Sequence, residues 1–178
     1  MKRSDLTSHR DERDRFFKEH YATPIPDEDL DTFLGLSYFP ANEGAGYVGT
    51  YAPSDGSKIQ ITSTAGTESG YHKRGVLYVS IGDTRYSLTV LDDGDGGLFI
   101  PFGDQTNGSE TYGGGRYVSV VQGDAETAAI DFDLAENPYC VYDDEFVCPL
   151  PPPENRIAIP ITAGERMYEG RAQTPDNR

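Results

Sequence analysis

The sequence predicts a mainly β protein, a single antiparallel β-barrel or sandwich with two α-helices at its N-terminus. Three observations carry this expectation. From Leu36 onward, short runs with an apolar period of two recur at spacings of about eight to twelve residues, separated by Gly, Asp, Asn and Pro. Helical spacing of apolar residues occurs only before Gly35. No strand-like run leads through a helix into another strand, so no βαβ unit and no parallel sheet is expected.

Taken in order, Ser4 to Tyr21 is highly charged with Leu6, Phe16, Phe17 and Tyr21 as its apolar minority, and Asp11 with Arg15 forms an i, i+4 pair of favourable sign. This predicts an amphipathic helix whose narrow apolar face lies across something larger. Thr23-Pro-Ile-Pro26 forces an extended link. Asp27 to Leu34 then carries acids in its first turn, Leu30, Phe33 and Leu34 at helical spacing and Gly35 beyond its end, which predicts a second, short helix. Strands are expected at Leu36 to Phe39, Tyr47 to Ala52, Lys58 to Thr62, Gly75 to Ile81, Arg85 to Leu91, Leu98 to Phe102, Arg116 to Val121, Thr127 to Phe132 and Ile157 to Ile161. Gly82-Asp83 is a two-residue hairpin loop. Residues 1–35 are thus a helical segment packed on a β domain of residues 36–168, one domain overall, with a polar tail at 169–178 that is expected to fray.

Composition excludes several functions. The formal net charge is -15, with 30 acids against 15 Lys and Arg, and the only lysines are Lys2, Lys18, Lys58 and Lys73. Such a surface repels phosphate backbones and has no local basic patch, so nucleic acid is not an expected partner. It suits concentrated salt, where the Debye length falls to about 3 Å and self-repulsion is screened, and a halophilic host is the expectation. No apolar run is long enough for a membrane span, and the first residues lack the apolar core of a secretory leader. The expected location is cytoplasmic.

Few residues are suited to chemistry. Cys140 and Cys148 are the only cysteines. If Val141-Tyr142 and Phe146-Val147 pair across Asp143 to Glu145, the thiols face one another, and a disulfide would contribute about 2.5 kcal/mol by loop entropy. A reducing cytosol favours packed thiols instead, and metal or redox chemistry is the third reading. No metal site is expected, because His9, His20 and His72 are distant in sequence and zinc normally takes four Cys or His ligands. Arg116 follows Gly113 to Gly115, where backbone can approach closely, and is either a carboxylate clamp for a ligand or an internal partner of Asp104, Asp131 or Glu154. Asp131, Asp133, Glu136 and Asn137 cluster at one strand end, and Asp104, Asn107 and Glu110 at another turn; solvated turn acids explain both most simply. Asp93-Gly-Asp95-Gly lacks the downstream Glu of a calcium loop and reads as a hairpin tip. Neither a nucleophile elbow nor a phosphate-binding glycine loop is present, and no motif names a cofactor. Pro149 to Pro153 is stiff and extended, and either docks a partner or straps the open end of the sheet.

Three segments, GLSYFP (Gly35 to Pro40), PFGDQTNGSETYGGGRY (Pro101 to Tyr117) and DFDLAENPYCVYDDEFVCPLPPPENRIAIPITAGER (Asp131 to Arg166), closely resemble an uncharacterised archaeal and bacterial family known as domain of unknown function 1684. They match in order over nearly the whole chain. That family often has Arg where Gly103 stands, and Asn-Arg-Ala-Tyr-Asn-Pro where this chain has Asp133 to Pro138. The resemblance implies a shared fold and a site built from the central motifs. It brings no established activity, cofactor or partner.

The reading these residues favour is a non-catalytic module that binds a small molecule through Tyr112, Arg116, Tyr117, Asn137, Tyr139, Glu154 and Asn155, an aromatic-lined set with polar anchors. The alternative is a hydrolase-like enzyme using Asp104, Asp131 and Glu154 as general acid and base, with or without a metal, which needs two of them within about 10 Å in one cleft. The third is a structural or interaction protein that meets a partner through its Pro strap or N-terminal helix.

Overall fold

A computed structural model of the chain describes residues 3–92, 94–124 and 126–169. Helix α1 (Arg3–Glu19) is followed by strands β1 (Gly46–Pro53), β2 (Lys58–Thr62), β3 (Glu68–Ile81), β4 (Thr84–Asp92), β5 (Leu98–Phe102), β6 (Arg116–Ser119), β7 (Val121–Gln122) and β8 (Thr127–Asp131). The pairing order is β6-β5-β4-β3-β1-β8-β7, with β2 beside the outer part of β3, and all of these ladders are antiparallel. β6 and β7 are one run interrupted at Val120. Its first half pairs with β5 and its second with β8, so a single strand changes partner and nearly closes the sheet into a barrel.

Alternation fills the interior. Leu77, Val79 and Ile81 of β3, Tyr86, Leu88 and Val90 of β4, Ile100 and Phe102 of β5, Val118, Val120, Ala128 and Ile130 form the core, closed by Phe132, Ala135, Ile157, Ile161 and Ala163 from the C-terminal third. A second cluster, Phe17, Ile25, Phe33, Val141, Tyr142 and Tyr168, lies under α1. Each buried aliphatic or aromatic side chain is worth about 1.5–3 kcal/mol relative to exposure.

Several expectations need correction. Among the described residues only one α-helix forms. Asp27 to Leu34 contains a 3-10 turn at Leu30–Thr32, because Leu34 is 99% exposed and only Phe33 of its three apolar residues is buried. So short a segment does not sustain a helix without a packed face. Lys18 Nζ instead donates to the carbonyls of Leu30 and Phe33. Tyr21, at 95% exposure, takes no part in the inward face of α1. Leu36 to Phe39 makes a single bridge, Tyr38 to Glu165, and Ile157 to Ile161 runs as a strap instead of a strand. The Val141 to Val147 hairpin does not form, since Tyr139–Val141 is a 3-10 turn that turns Tyr142 into the second cluster. β3 extends to Glu68, seven residues before the expected start at Gly75, where β2 pairs with it. Asp93 of the proposed hairpin tip and residues 170–178 of the proposed tail lie outside the described residues.

The C-terminal strap is held to the barrel by Asn155, which is fully buried. Its Oδ1 accepts from Thr89 N at 2.7 Å, and its Nδ2 donates to Thr89 O at 3.0 Å and Pro101 O at 2.8 Å, satisfying backbone groups of β4 and β5. Asn155→Ala strands these groups without water. It is expected to lower stability by about 3 kcal/mol or more in urea unfolding, whereas a loss under 1 kcal/mol would show that the amide is not what closes this seam.

Candidate functional site

Two linked polar centres lie at the end of the barrel covered by α1. The inner one is Arg116, the first residue of β6. Gly115 enables its placement: with φ +90, a Cβ there would lie 2.6 Å from Phe102 O and 2.6 Å from Pro151 Cγ. The Arg116 side chain is fully buried and lies over the Phe102 ring at 5.2 Å. Nη1 donates to Ala163 O (2.5 Å) and Glu165 O (3.0 Å), and Nη2 donates to Ile161 O (2.8 Å) and Asp104 Oδ2 (3.0 Å). Burial pulls the guanidinium pKa down, and the charge of Asp104 opposes that. Asp104 Oδ1 accepts from Thr106 N, Thr106 Oγ1 and Ile161 N. These contacts make Arg116 the internal partner of Asp104 and a clip for the strap.

The outer centre is built on Glu165, which is 1% exposed. Its Oε1 accepts from Arg13 Nε at 2.9 Å and Nη2 at 2.7 Å; its Oε2 accepts from Asn137 N at 2.8 Å and the Tyr142 hydroxyl at 2.7 Å. Arg13 also reaches Glu136 Oε1 through Nη1 at 2.8 Å. Burial alone would lower the Arg13 pKa, but the Glu165 and Glu136 carboxylates more than offset it and raise it. Burial, reinforced by Glu165, raises the Tyr142 pKa far above 10, so this hydroxyl is a neutral donor. Beside them, His9 Nε2 stands 3.8 Å from Glu136 Oε1, and Arg10 lies over the Tyr38 ring at 4.5 Å with Nη2 3.7 Å from Asp133 Oδ1.

Glu136 is the titrating member. Its side chain is 36% exposed, yet desolvation raises its pKa to about 7; Arg13 pulls the other way and Glu165 adds to the rise. Burial and then Arg13 lower the His9 pKa below 6.5, which leaves a neutral imidazole at pH 7. Among the described residues, seven buried side-chain atoms lack a hydrogen-bond partner. Six of them, His9 Nε2, Arg10 Nε and Nη2, Tyr38 Oη, Asp133 Oδ1 and Asn137 Oδ1, line the seam between α1 and the barrel.

The sequence-predicted residues fall into separate places. Asn137 belongs to the outer centre and Arg116 to the inner one. Tyr139 is 38% exposed and meets Phe17 and Phe146 edge-on. Tyr117 donates to Pro149 O at 2.7 Å, and Tyr112 packs against the cluster under α1. Asn155 bonds to Thr89 and Pro101, and the exposed Glu154 accepts from Thr89 Oγ1 at 2.8 Å. Of the proposed acids, Asp104 is committed to Arg116, Thr106 and Ile161, while Asp131 Oδ1 accepts from Asp133 N at 3.0 Å. Cys140 and Cys148 are free thiols in the structure. The residues missed by sequence reasoning are His9, Arg10, Arg13, Tyr38 and Glu165. The available signal was the spacing Leu6, Arg10, Arg13, Phe17, a helical stripe that counts as inward-facing only when its arginines are included.

The model for proteins of unknown function DUF1684 matches residues 31–166. The chain belongs to the DUF1684 family. Among solved structures, an uncharacterized protein of Haloarcula marismortui, determined by solution NMR, is 35% identical over 92% of both chains, with a TM-score of 0.71. Comparison with functionally curated proteins found no match. The DUF1684 match contains Tyr38, Glu136, Asn137 and Glu165 but not the α1 residues His9, Arg10 and Arg13. Among the described residues, no group of three or more His, Cys, Asp or Glu is placed to share a metal ion, and no helix is long and apolar enough to cross a membrane.

Two measurements test these centres. Arg13→Leu leaves the buried Glu165 carboxylate without its charge partner and is expected to cost about 3 kcal/mol or more in urea unfolding; an unchanged midpoint would refute the pairing. Glu136 holds its proton more tightly in the fold, at about 7, than at the ordinary 4.5. Its contribution to stability is therefore complete below pH 4.5 and is lost as pH rises through about 7. Relative to the native chain, Glu136→Gln should gain stability across that window, and a constant difference between the two would show that Glu136 titrates normally.

Proposed function

We propose that this DUF1684 protein binds a small polar molecule in the seam between α1 and the barrel. The observation that carries the reading is the concentration, on His9, Arg10, Tyr38, Asp133 and Asn137, of buried donors and acceptors that meet no hydrogen-bond partner, the ion-pair contacts Arg10–Asp133 and His9–Glu136 being as long as 3.7 and 3.8 Å. Each such atom costs roughly 1–3 kcal/mol when nothing meets it, and native proteins keep them where water, an ion or a ligand does. Both donors and acceptors are on offer, which suits a neutral or zwitterionic compound with hydroxyl or amide groups. Asn137 is retained from the sequence-predicted set; Arg116 and Asn155 support the site by holding the strap. A cytoplasmic setting belongs to this reading.

A second reading is favoured by one observation. Glu136, titrating near neutrality beside a neutral His9, has the property of a general acid or base and would move a proton on whatever occupies the seam. Asp104, by contrast, is fully engaged with Arg116.

Native mass spectrometry of protein purified from its own host tests the proposal. A small-molecule adduct that dissociates on denaturation is expected. Tyr38→Phe, which keeps the ring under Arg10 and removes the hydroxyl, should weaken its retention by about tenfold. A bare protein mass in every preparation, or an adduct unaffected by Tyr38→Phe and Arg10→Met, would overturn the assignment.

A further inference from the structure

Cys140 and Cys148 have no part in the polar seam, and their surroundings are built with care. Cys148 is fixed by the β2–β3 hairpin: its N donates to Thr64 Oγ1 at 3.1 Å, Thr64 N donates to its O at 2.9 Å, and Leu150 N donates to Thr62 O at 2.9 Å. Cys140 sits in the 3-10 turn, where Val141 N bonds to Pro138 O at 3.0 Å and Tyr142 N to Tyr139 O at 2.9 Å, while the Tyr142 hydroxyl is anchored on Glu165. These two frames bring the sulfurs together with no covalent bond between them. Cys140 N donates to Cys148 Sγ at 3.4 Å, and the thiols lie within hydrogen-bonding reach of each other, with Tyr112 beside Cys140 and Tyr117 beside Cys148. Cys140 is half-buried and Cys148 is 8% exposed.

The arrangement separates the roles of the two sulfurs. Cys148 receives the Cys140 thiol and the Cys140 backbone N–H, which lower its pKa to about 7 against the opposing effect of burial. Cys140 is shifted upward, because its proton is held by Cys148. The Cys140 N–H on Cys148 Sγ and the shared proton thus favour a thiolate on Cys148, as in reactive dithiols.

We propose that Cys140 and Cys148 are a redox couple for low-molecular-weight disulfides, with Cys148 the attacking thiol and Cys140 the resolving one. The Cys148 thiolate attacks one sulfur of a disulfide RSSR, forming Cys148–S–S–R and releasing RS⁻. Cys140 then loses its proton and attacks the Cys148 sulfur, forming the intramolecular disulfide and releasing the second RS⁻. In sum, the dithiol is oxidised by two electrons and RSSR is reduced to two RSH, the two thiol protons being passed to the leaving thiolates.

The test uses the full chain with bis(2-hydroxyethyl) disulfide as probe, followed by alkylation and intact mass measurement. The native protein is expected to lose two hydrogens and both alkylation sites, reversibly with dithiothreitol. Its rate should be half-maximal near pH 7 instead of the ordinary thiol value of about 8.5. Cys140→Ser, which keeps a hydroxyl donor, should stop at a mixed disulfide on Cys148, and Cys148→Ser should react about tenfold more slowly at pH 7. The proposal fails if the native protein keeps both thiols alkylatable, if Cys140 takes the adduct first, or if the rate follows an ordinary thiol. The native protein's pH profile decides the matter even where a variant does not fold.

Discussion

The structure around the barrel mouth depends on one buried carboxylate. Glu165 connects the inner and outer polar centres: its carbonyl accepts from Arg116, its N–H donates to Ala135 O, and its side chain gathers Arg13, Asn137 and Tyr142. A charge in so dry a place is stable only with every lone pair engaged, and here the engagement itself ties α1, the 132–142 segment and the C-terminal strap to one another. Gly164, at φ +75, is what lets the strap turn there, since a Cβ would lie 2.6 Å from both Ala135 O and Phe132 O. The local backbone and the buried ion pair are thus one constraint.

Arginine is used inward in this acidic chain. Arg13 and Arg116 hold carboxylates at the barrel mouth, and Arg10 donates to Phe39 O at 3.0 Å while covering Tyr38. Their planar, multiply donating heads suit a place where several carbonyls and carboxylates must be met at fixed angles. Burial beside α1 is the main reason that His9 is lowered and Glu136 raised, with Arg13 pulling both downward.

The barrel was legible because its strands alternate cleanly. Leu77, Val79, Ile81 and Leu88, Val90 could face only one way, and Gly82-Asp83 marked the hairpin between them. The elements misread were those whose conformation is set by side-chain hydrogen bonds instead of periodicity. The spacing of Leu30, Phe33 and Leu34 resembles a helix, yet Lys18 takes the carbonyls at its end. Tyr142 looked like a hairpin residue, yet its hydroxyl is held on a carboxylate more than twenty residues away. For the candidate site, Asn137 was singled out by its motif and Asp104 was one of three internal partners named for Arg116, whereas the contribution of α1 was hidden because Arg10 and Arg13 interrupt what would otherwise be an apolar stripe with Leu6 and Phe17.

The change of partner at Val120 also bears on how the molecule meets its own copies. An open sheet presents a row of unpaired amides and carbonyls on which another chain can extend it. Here β6 is bridged along its outer flank by the reciprocal bonds of Tyr117 and Glu136, each 2.9 Å, and β7 is only two residues long. Among the described residues, these two ends of the pairing order therefore offer little template for strand addition, whereas β2, which pairs with β3 alone, keeps one edge outside the strand ladders.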